Sequence, residues 1–281
     1  MQTSPILIIG KNAKTGRRVD HLLRERGYPT RAVSRSTSPA FDWEDQGSWR
    51  DALRGTRSAY ITFHPDLAIP GAEQTIRAFV ALAAELGLEH LVLLSGRGEN
   101  GARRAEIALE QSGVDWNVVR ASWFMQNFSE SFMIEGILNG ELMLPAGDMF
   151  EPFIDLDDIA EVAVATLTRP ELRNRVFEVT GPRAMTFAEC VAAISEATGY
   201  PVTYTQIPIE NFIDGMRSQG TPETLLWLMR ELFTVVFDGR NWNPTAGVEE
   251  ALGRPATDFS DYLRKVMATG AWNRSGIQRQ A

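Results

Sequence analysis

The 281-residue chain has one cysteine, three histidines and no long hydrophobic run. A single thiol excludes an intrachain disulfide and a thiolate cage around a metal. Cys190 lies in Thr186-Phe-Ala-Glu-Cys-Val-Ala-Ala-Ile194, on the apolar stripe of a helix, and is expected to be a small buried hydrophobe. No apolar stretch reaches the roughly 18 residues that a membrane-crossing helix needs. The N-terminus runs from Met1 straight into a strand, without a secretory leader pattern. Basic excess is also missing: 28 lysines and arginines face 36 acids, a formal charge of −8. That balance argues against a nucleic-acid or membrane-surface partner. The chain is expected to be cytoplasmic, and to act on a small molecule as a monomer or a homodimer.

What is present is an alternation of short apolar runs and amphipathic ones. Pro5-Ile-Leu-Ile-Ile-Gly10 is a strand ending in glycine, and Val19, Leu22 and Leu23 fall on one face of a helix beginning near Gly16. Thr30–Ser34 reads as a second strand, followed by a short segment around Phe41-Asp-Trp43. The same logic gives a helix near Gly47–Leu53, a strand at Ser58–Phe63 and a helix at Ala72–Leu86. After these come a strand at His90–Ser95, a helix at Arg103–Ser112 and a strand at Trp116–Arg120. Continuous apolar strands separated by helices imply a parallel sheet covered on both faces. The fold class is therefore α/β, a Rossmann-type doubly wound parallel sheet with ligands at the carboxyl ends of its strands. Residues 1–150 form this core. Residues 151–281 read as a small, mostly helical lobe sharing strands and helices with it, including strands at Arg175–Thr180 and Val202–Ile207. The helices of the lobe are Phe187–Thr198, Trp227–Phe237 and Phe259–Met267, and Asn273–Ala281 is a frayed polar tail.

Gly10-Lys-Asn-Ala-Lys-Thr-Gly16 joins the first strand to the first helix. Glycines at such a turn let a pyrophosphate approach the backbone at a helix N-terminus, although Gly10 and Gly16 could equally be plain turn residues. Lys11, Lys14, Arg17 and Arg18 crowd the same helix start, where each unpaired cation opposes the helix dipole by up to about 1 kcal/mol. A bound polyphosphate explains that arrangement. NAD sites place an acid about 20 residues past the loop, to accept from the ribose hydroxyl. From Tyr28 to Phe41 there is no acid, only Arg31, Ser34, Arg35 and Ser36 among the polar candidates for that role. A guanidinium and hydroxyls suit a 2′-phosphate, so the expected cofactor is NADP(H), with Arg35 as its leading ligand and Ser34 and Ser36 in support.

The segments Gly10–Val19, Val33-Ser-Arg-Ser36, Phe41-Asp-Trp43 and Leu91-Val-Leu-Leu-Ser95 occur in this order. They are followed by Arg120-Ala-Ser-Trp-Phe-Met-Gln-Asn-Phe-Ser-Glu130, Pro152-Phe-Ile-Asp-Leu-Asp-Asp-Ile-Ala160 and Thr180-Gly-Pro182. With these stretches the chain resembles the NmrA-like atypical short-chain dehydrogenases/reductases over nearly its whole length. Within them it looks most like the branch of the ergot-alkaloid reductases (agroclavine and festuclavine dehydrogenases). The resemblance implies an NADP-binding Rossmann domain with a small C-terminal substrate lobe. Gly10, Asn12, Lys14, Thr15, Gly16, Ser34, Arg35, Ser36 and Asp42 then become the cofactor contacts. It also implies a reductase of imines, quinones or triphenylmethane dyes, or a redox sensor without turnover. Two departures stand out. The middle glycine of the loop is Ala13, and the helix after Ser95 reads Ala102-Arg-Arg-Ala-Glu106, with no Tyr-x-x-x-Lys pair.

Without that pair, either another group protonates the product or the acceptor needs no proton, as with an iminium ion or a cationic dye-like carbon. The expected activity is hydride transfer from NADPH to a conjugated imine or iminium, ketone or quinone. The alternative is a non-catalytic NADP(H) sensor that works through a protein partner. Ser95, at the end of the central strand, either contacts substrate or nicotinamide or caps the strand. His64, after Ser58–Phe63, is either catalytic or solvated. Trp123, Phe124, Met125 and Asn127 border the substrate by resemblance, or else form a core turn. Asn127 is the most informative of them, because a buried amide needs partners. Asp155 or Asp157 caps the following helix, and no metal is expected at Asp155, Asp157 and Asp158.

Overall fold

β-Branched and leucine-rich runs become strands, and the amphipathic runs between them become helices, in the computed structural model, which describes residues 4–274. The first part of the chain gives β1 (Ile6–Ile9), α1 (Lys14–Glu25), β2 (Thr30–Val33), α2 (Trp49–Leu53) and β3 (Ser58–Ile61). It continues with α3 (Ala72–Glu85), β4 (His90–Gly96), α4 (Asn100–Glu110) and β5 (Asp115–Ala121). Next come α5 (Met133–Asn139), β6 (Glu141–Leu144), α6 (Leu156–Thr168), β7 (Arg175–Val179), α7 (Phe187–Thr198) and β8 (Thr203–Gln206). The last helices are α8 (Ile209–Ser218), α9 (Glu223–Glu231), α10 (Gly247–Leu252) and α11 (Phe259–Thr269). Of the tail expected to fray, residues 275–281 lie outside the described residues.

Six strands form one parallel sheet in the order β2-β1-β3-β4-β5-β7. Every residue of β1 and β3 is buried, as strands covered by helices on both faces require. The order reverses between β1 and β3, and the carboxyl ends of these strands flank the crevice where such sheets take ligands.

The described chain forms two compact units. The first comprises residues 4–121, 156–179 and 246–255, and the second comprises 122–155, 180–245 and 256–274. Because the division is interleaved, the spans 1–150 and 151–281 do not correspond to these units. β7 lies beyond 150 and completes the main sheet against β5, with Asn117 opposite Arg175.

The core of the first unit is mainly aliphatic along the sheet, with a cluster of rings beside α3. Leu7, Ile9, Leu91, Leu93 and Val118 of the strands pack with Ile76 and Phe79 of α3. The second unit has an aromatic core, in which Phe259, Phe128, Phe153 and Phe187 follow one another with successive ring centroids 5.8, 5.6 and 5.1 Å apart. Its small parallel pair, β6 with β8, sets Glu141 beside Thr203. Cys190 is buried in this core, where burial pushes its thiol above the usual range. No helix among the described residues is long and apolar enough to cross a membrane.

Candidate functional site

The turn after β1 is shaped by two glycines. Gly10 sits at φ +88°, in the left-handed region, and a Cβ there would overlap the hydroxyl of Thr62. A Cβ at Gly16 would overlap the carbonyl oxygen of Gly10, so α1 can start this close to β1 only without a side chain. Ala13 occupies an ordinary extended conformation (φ −71°, ψ 152°), so the missing middle glycine leaves the turn intact. Its N–H donates to the Gly10 carbonyl at 2.8 Å. The N–H groups of Gly10 and Lys11 donate to the Val33 carbonyl at 3.2 and 3.0 Å, tying the turn to the end of β2. α1 has no side-chain cap and no acid in its first turn, so its N-terminal N–H groups present a partial positive charge.

The surrounding cations divide in two. Arg18 donates to Asp157 at 3.0 Å and to the Lys14 carbonyl at 2.9 Å, joining α1 to α6. The expectation that Arg18 stands unpaired for a phosphate is therefore corrected. Lys11 and Arg35 are exposed, and among the described residues their side chains have no hydrogen bond or ion pair. Beside Arg35 the hydroxyls of Ser34 and Ser36 lie 3.2 Å apart. Asn12 is exposed, and Thr15 is buried beneath the turn. Asp42 accepts from the Glu44 N–H at 3.1 Å and closes a local turn. Its neighbours Phe41 and Trp43 wedge against Trp49 and Phe79, and the Trp43 indole donates to the Thr62 carbonyl at 3.0 Å. The Phe41-Asp-Trp43 segment thus works as an aromatic anchor for the loop after β2.

Ser95 is buried, and its hydroxyl donates to Glu106 Oε1 at 2.6 Å. Glu106 is fully buried on α4 and receives Arg120 through Nε at 2.9 Å and Nη2 at 2.5 Å. Arg120 continues to Glu178 at 3.2 Å, and Glu178 receives Arg97 at 2.6 Å. This chain of charges links the carboxyl ends of β4, β5 and β7. It commits the Ser95 proton inward, which favours the strand-end structural role over donation to a substrate. The signal that could have revealed it is a glutamate on the same face of α4 as Ala102, Ala105 and Leu109. His64 is exposed, and its ring has no hydrogen bond among the described residues.

Asp66 and Glu99, which sequence reasoning did not single out, follow β3 and β4. Asp66 Oδ1 accepts from the Ala68 N–H at 2.7 Å. Burial holds the Asp66 carboxyl above the usual carboxylate range. The three acids at the start of α6 each have a side-chain partner. Asp157 pairs with Arg18, and Asp158 with Arg254 at 2.8 Å. Asp155 accepts from Gln126 at 2.6 Å and Lys265 at 3.1 Å. No group of three or more potential metal ligands occurs among the described residues.

In the second unit, Trp123 is half-buried, with its ring 5.1 to 5.8 Å from those of Phe187, Phe233 and Phe237. Phe124 is half-buried, and its backbone bridges to Ile154. Met125 is a core residue. The buried amide of this turn is Gln126 and not Asn127, which is half-buried. This unit also exposes Met149, Phe150 and Trp242.

A parallel sheet with a glycine turn at its switch point and an uncapped, cation-flanked helix start defines a Rossmann-type nucleotide-binding fold. The same fold occurs in an NADPH-dependent quinone oxidoreductase from Escherichia coli solved with NADPH. The match has a TM-score of 0.79 at 18% identity and covers 93% of this chain and 99% of that one. The NmrA-like family model matches residues 103–264, more than half of the sequence, and the chain belongs to that family. It is similar to the NAD(P)H azoreductase of Xenophilus azovorans, at 29% identity over 92% of this chain and 96% of that one. It is likewise similar to the agroclavine dehydrogenase of Claviceps fusiformis, at 26% identity over 92% and 96%.

Proposed function

We propose that the protein is an NADPH-dependent reductase that transfers a hydride to a small conjugated acceptor such as an iminium ion, a ketone or a quinone. The observation carrying this reading is the pair of free cations, Lys11 and Arg35, beside a glycine turn that opens on an uncapped helix. The donor set fits a dinucleotide with an extra phosphate. The first-turn N–H groups of α1, with Lys11, would hold the pyrophosphate. Arg35, with the Ser34 and Ser36 hydroxyls, would hold the 2′-phosphate, since a planar fork matches phosphate oxygens. When bound, the reduced nicotinamide supplies the hydride.

Three similar proteins carry names that point the same way: an azoreductase, a quinone oxidoreductase and an agroclavine dehydrogenase. Lacking a Tyr-x-x-x-Lys pair in α4, the chain is read as an atypical member of the short-chain reductases. Trp123 and Phe124, with the exposed Met149, Phe150 and Trp242, offer apolar and aromatic surface to a flat acceptor.

The experiment is a pair of binding titrations, NADPH against NADH, followed by NADPH oxidation with a panel of iminium salts, quinones and ketones. Tighter binding of NADPH and turnover on at least one acceptor are expected. A preference for NADH defeats the cofactor assignment. Tight NADPH binding with no turnover on any acceptor, and a co-purifying protein, would favour a sensor instead.

A further inference from the structure

Trp123 combines a fixed ring with an unused donor. A tryptophan N–H that leaves water usually finds an acceptor. Those of Trp43, Trp49 and Trp272 donate to the carbonyl oxygens of Thr62, Asp42 and Phe128 at 3.0, 2.7 and 3.0 Å. Trp123 is half-buried, and its indole N–H has no acceptor among the described residues. Its backbone is held all the same. The Ile154 N–H donates to the Trp123 carbonyl, and the Met125 N–H to the Ile154 carbonyl, both at 2.9 Å.

Three rings grip the indole, those of Phe187, Phe233 and Phe237, with centroids 5.6, 5.1 and 5.8 Å away, and none of them stacks parallel on it. Two of the three come from one irregular turn. Helix α9 runs on into a π-helical turn at Leu232–Val236, where the Phe237 N–H donates to the Leu232 carbonyl, five residues back, at 2.9 Å. Such wide turns are rare and frequently mark functional sites. This one sets Phe233 and Phe237 together against Trp123. Exposed apolar side chains adjoin the same place. Glu151, which accepts from the Trp123 backbone N–H at 3.4 Å, follows the exposed Met149 and Phe150. Gly239, two residues past Phe237, has φ +93°, and a Cβ there would stand 3.2 Å from the Met149 sulfur. A fixed ring, an open donor and apolar neighbours make a site for a flat ligand that carries a polar atom.

We propose that the Trp123 indole N–H recognises a lone pair on the acceptor, and so selects ketones and quinones over cationic acceptors. The inference rests on the reductase reading above and assigns its selectivity to one hydrogen bond. An indole nitrogen donates only, so its partner has to offer a lone pair. The oxygen of a ketone or a quinone offers one. The nitrogen of a fully alkylated iminium ion does not. Ring packing on Trp123 serves both classes of acceptor alike, whereas the N–H serves one.

That asymmetry is the test. The affinity of the NADP⁺-loaded protein for 9-fluorenone and for fluorene, which share a ring frame and differ by the oxygen, is measured for the wild type and Trp123→Phe. Thermal melting checks folding. The wild type should prefer fluorenone about fivefold, the scale of one neutral hydrogen bond, and Trp123→Phe should lose that preference. In steady-state turnover, the ratio of kcat/KM for a quinone to that for a fully alkylated iminium ion should fall about fivefold in the variant. A fluorenone preference or a turnover ratio that survives in folded Trp123→Phe overturns the proposal. So does a wild type that binds both compounds equally or binds neither, a measurement that decides the matter even if the variant does not fold. A protein that shows the fluorenone preference and its loss, yet oxidises NADPH with no acceptor, defeats the reductase reading and leaves the recognition standing.

Discussion

The two units of this protein differ in what they hold tight and what they leave open. The first has approaches too close for a Cβ at Gly10, Gly16 and Gly101, and the second shares such an approach where Gly181 meets the Phe153 carbonyl; the first also holds Lys11 and Arg35, exposed beside its glycine turn. The second packs rings, and it contains every large hydrophobic residue found exposed among the described residues, from Phe132 to Met267. Large exposed apolar side chains are thus confined to the second among the described residues. The contrast suggests a division of labour: rigid backbone and cations suit a nucleotide of fixed shape, whereas adaptable apolar surface suits acceptors that vary.

The largest expected effect tests the tightness of the first unit. Gly16→Val pushes a side chain into the Gly10 carbonyl and should destabilise by roughly 3 kcal/mol. Urea unfolding measures the loss, and a change within about 0.5 kcal/mol would show that the turn is softer than its geometry.

Acid separates the units next. All three histidines, His21, His64 and His90, belong to the first. His90 is buried, and burial lowers its pKa from 6.5 to about 4. Asn117 donates through Nδ2 to the Leu172 and Arg175 carbonyls, so its Oδ1 must accept from His90 Nε2, 2.9 Å away. His90 Nδ1 then stays unprotonated and has no partner among the described residues. The unfolded chain takes up this proton near pH 6.5 and the folded chain only near 4. Stability present above 6.5 is therefore lost as pH falls through that window, by about 2 kcal/mol between pH 7 and 5. Hydrogen exchange at pH 5 should show β4 and β5 losing protection before α7 and α11. The reverse order would break the contrast.

A smaller effect concerns the cations. Arg35→Ala should weaken NADPH binding about tenfold, roughly 1.4 kcal/mol, and leave NADH binding unchanged. Equal losses for both nucleotides would remove Arg35 from the 2′-phosphate. The smallest effect, of opposite sign, lies in the second unit. Gly215, inside α8, faces open space, and Gly215→Ala should raise stability by about 0.7 kcal/mol in thermal or urea melts. A loss there would mean that the second unit is as closely fitted as the first.

Local pattern was enough to read the main sheet. β1 through β5, β7 and α7 fall within two residues of their expected bounds at most ends, because each is a run of fixed period bounded by glycine or a capping residue. What escaped depends on distant partners. β6 is a four-residue strand whose partner β8 lies some 60 residues on, with Glu141 beside Thr203, and its short sequence carries no signal of its own. Arg18 looked like a phosphate ligand because Asp157 is 139 positions away. The same holds for the site. The glycine turn and the acid-free segment at Arg35 are local and were legible. The Ser95–Glu106–Arg120 chain exists only once β4, β5 and α4 are side by side. Gln126 and not Asn127 is the buried amide because the turn after β5 is a tight 3-10 helix, whose facing a sequence does not specify.

The interleaving of the two units bears on how the protein is made. β7 follows the first segment of the second unit, and α10 follows the second, longer one. On a ribosome delivering the chain from its N-terminus, the edge of β5 would stay uncovered until β7 emerges, and the first unit would be complete only at residue 255. Such a strand edge invites pairing with another chain. A chaperone-poor host or a truncated gene should therefore give aggregates and not a smaller working domain.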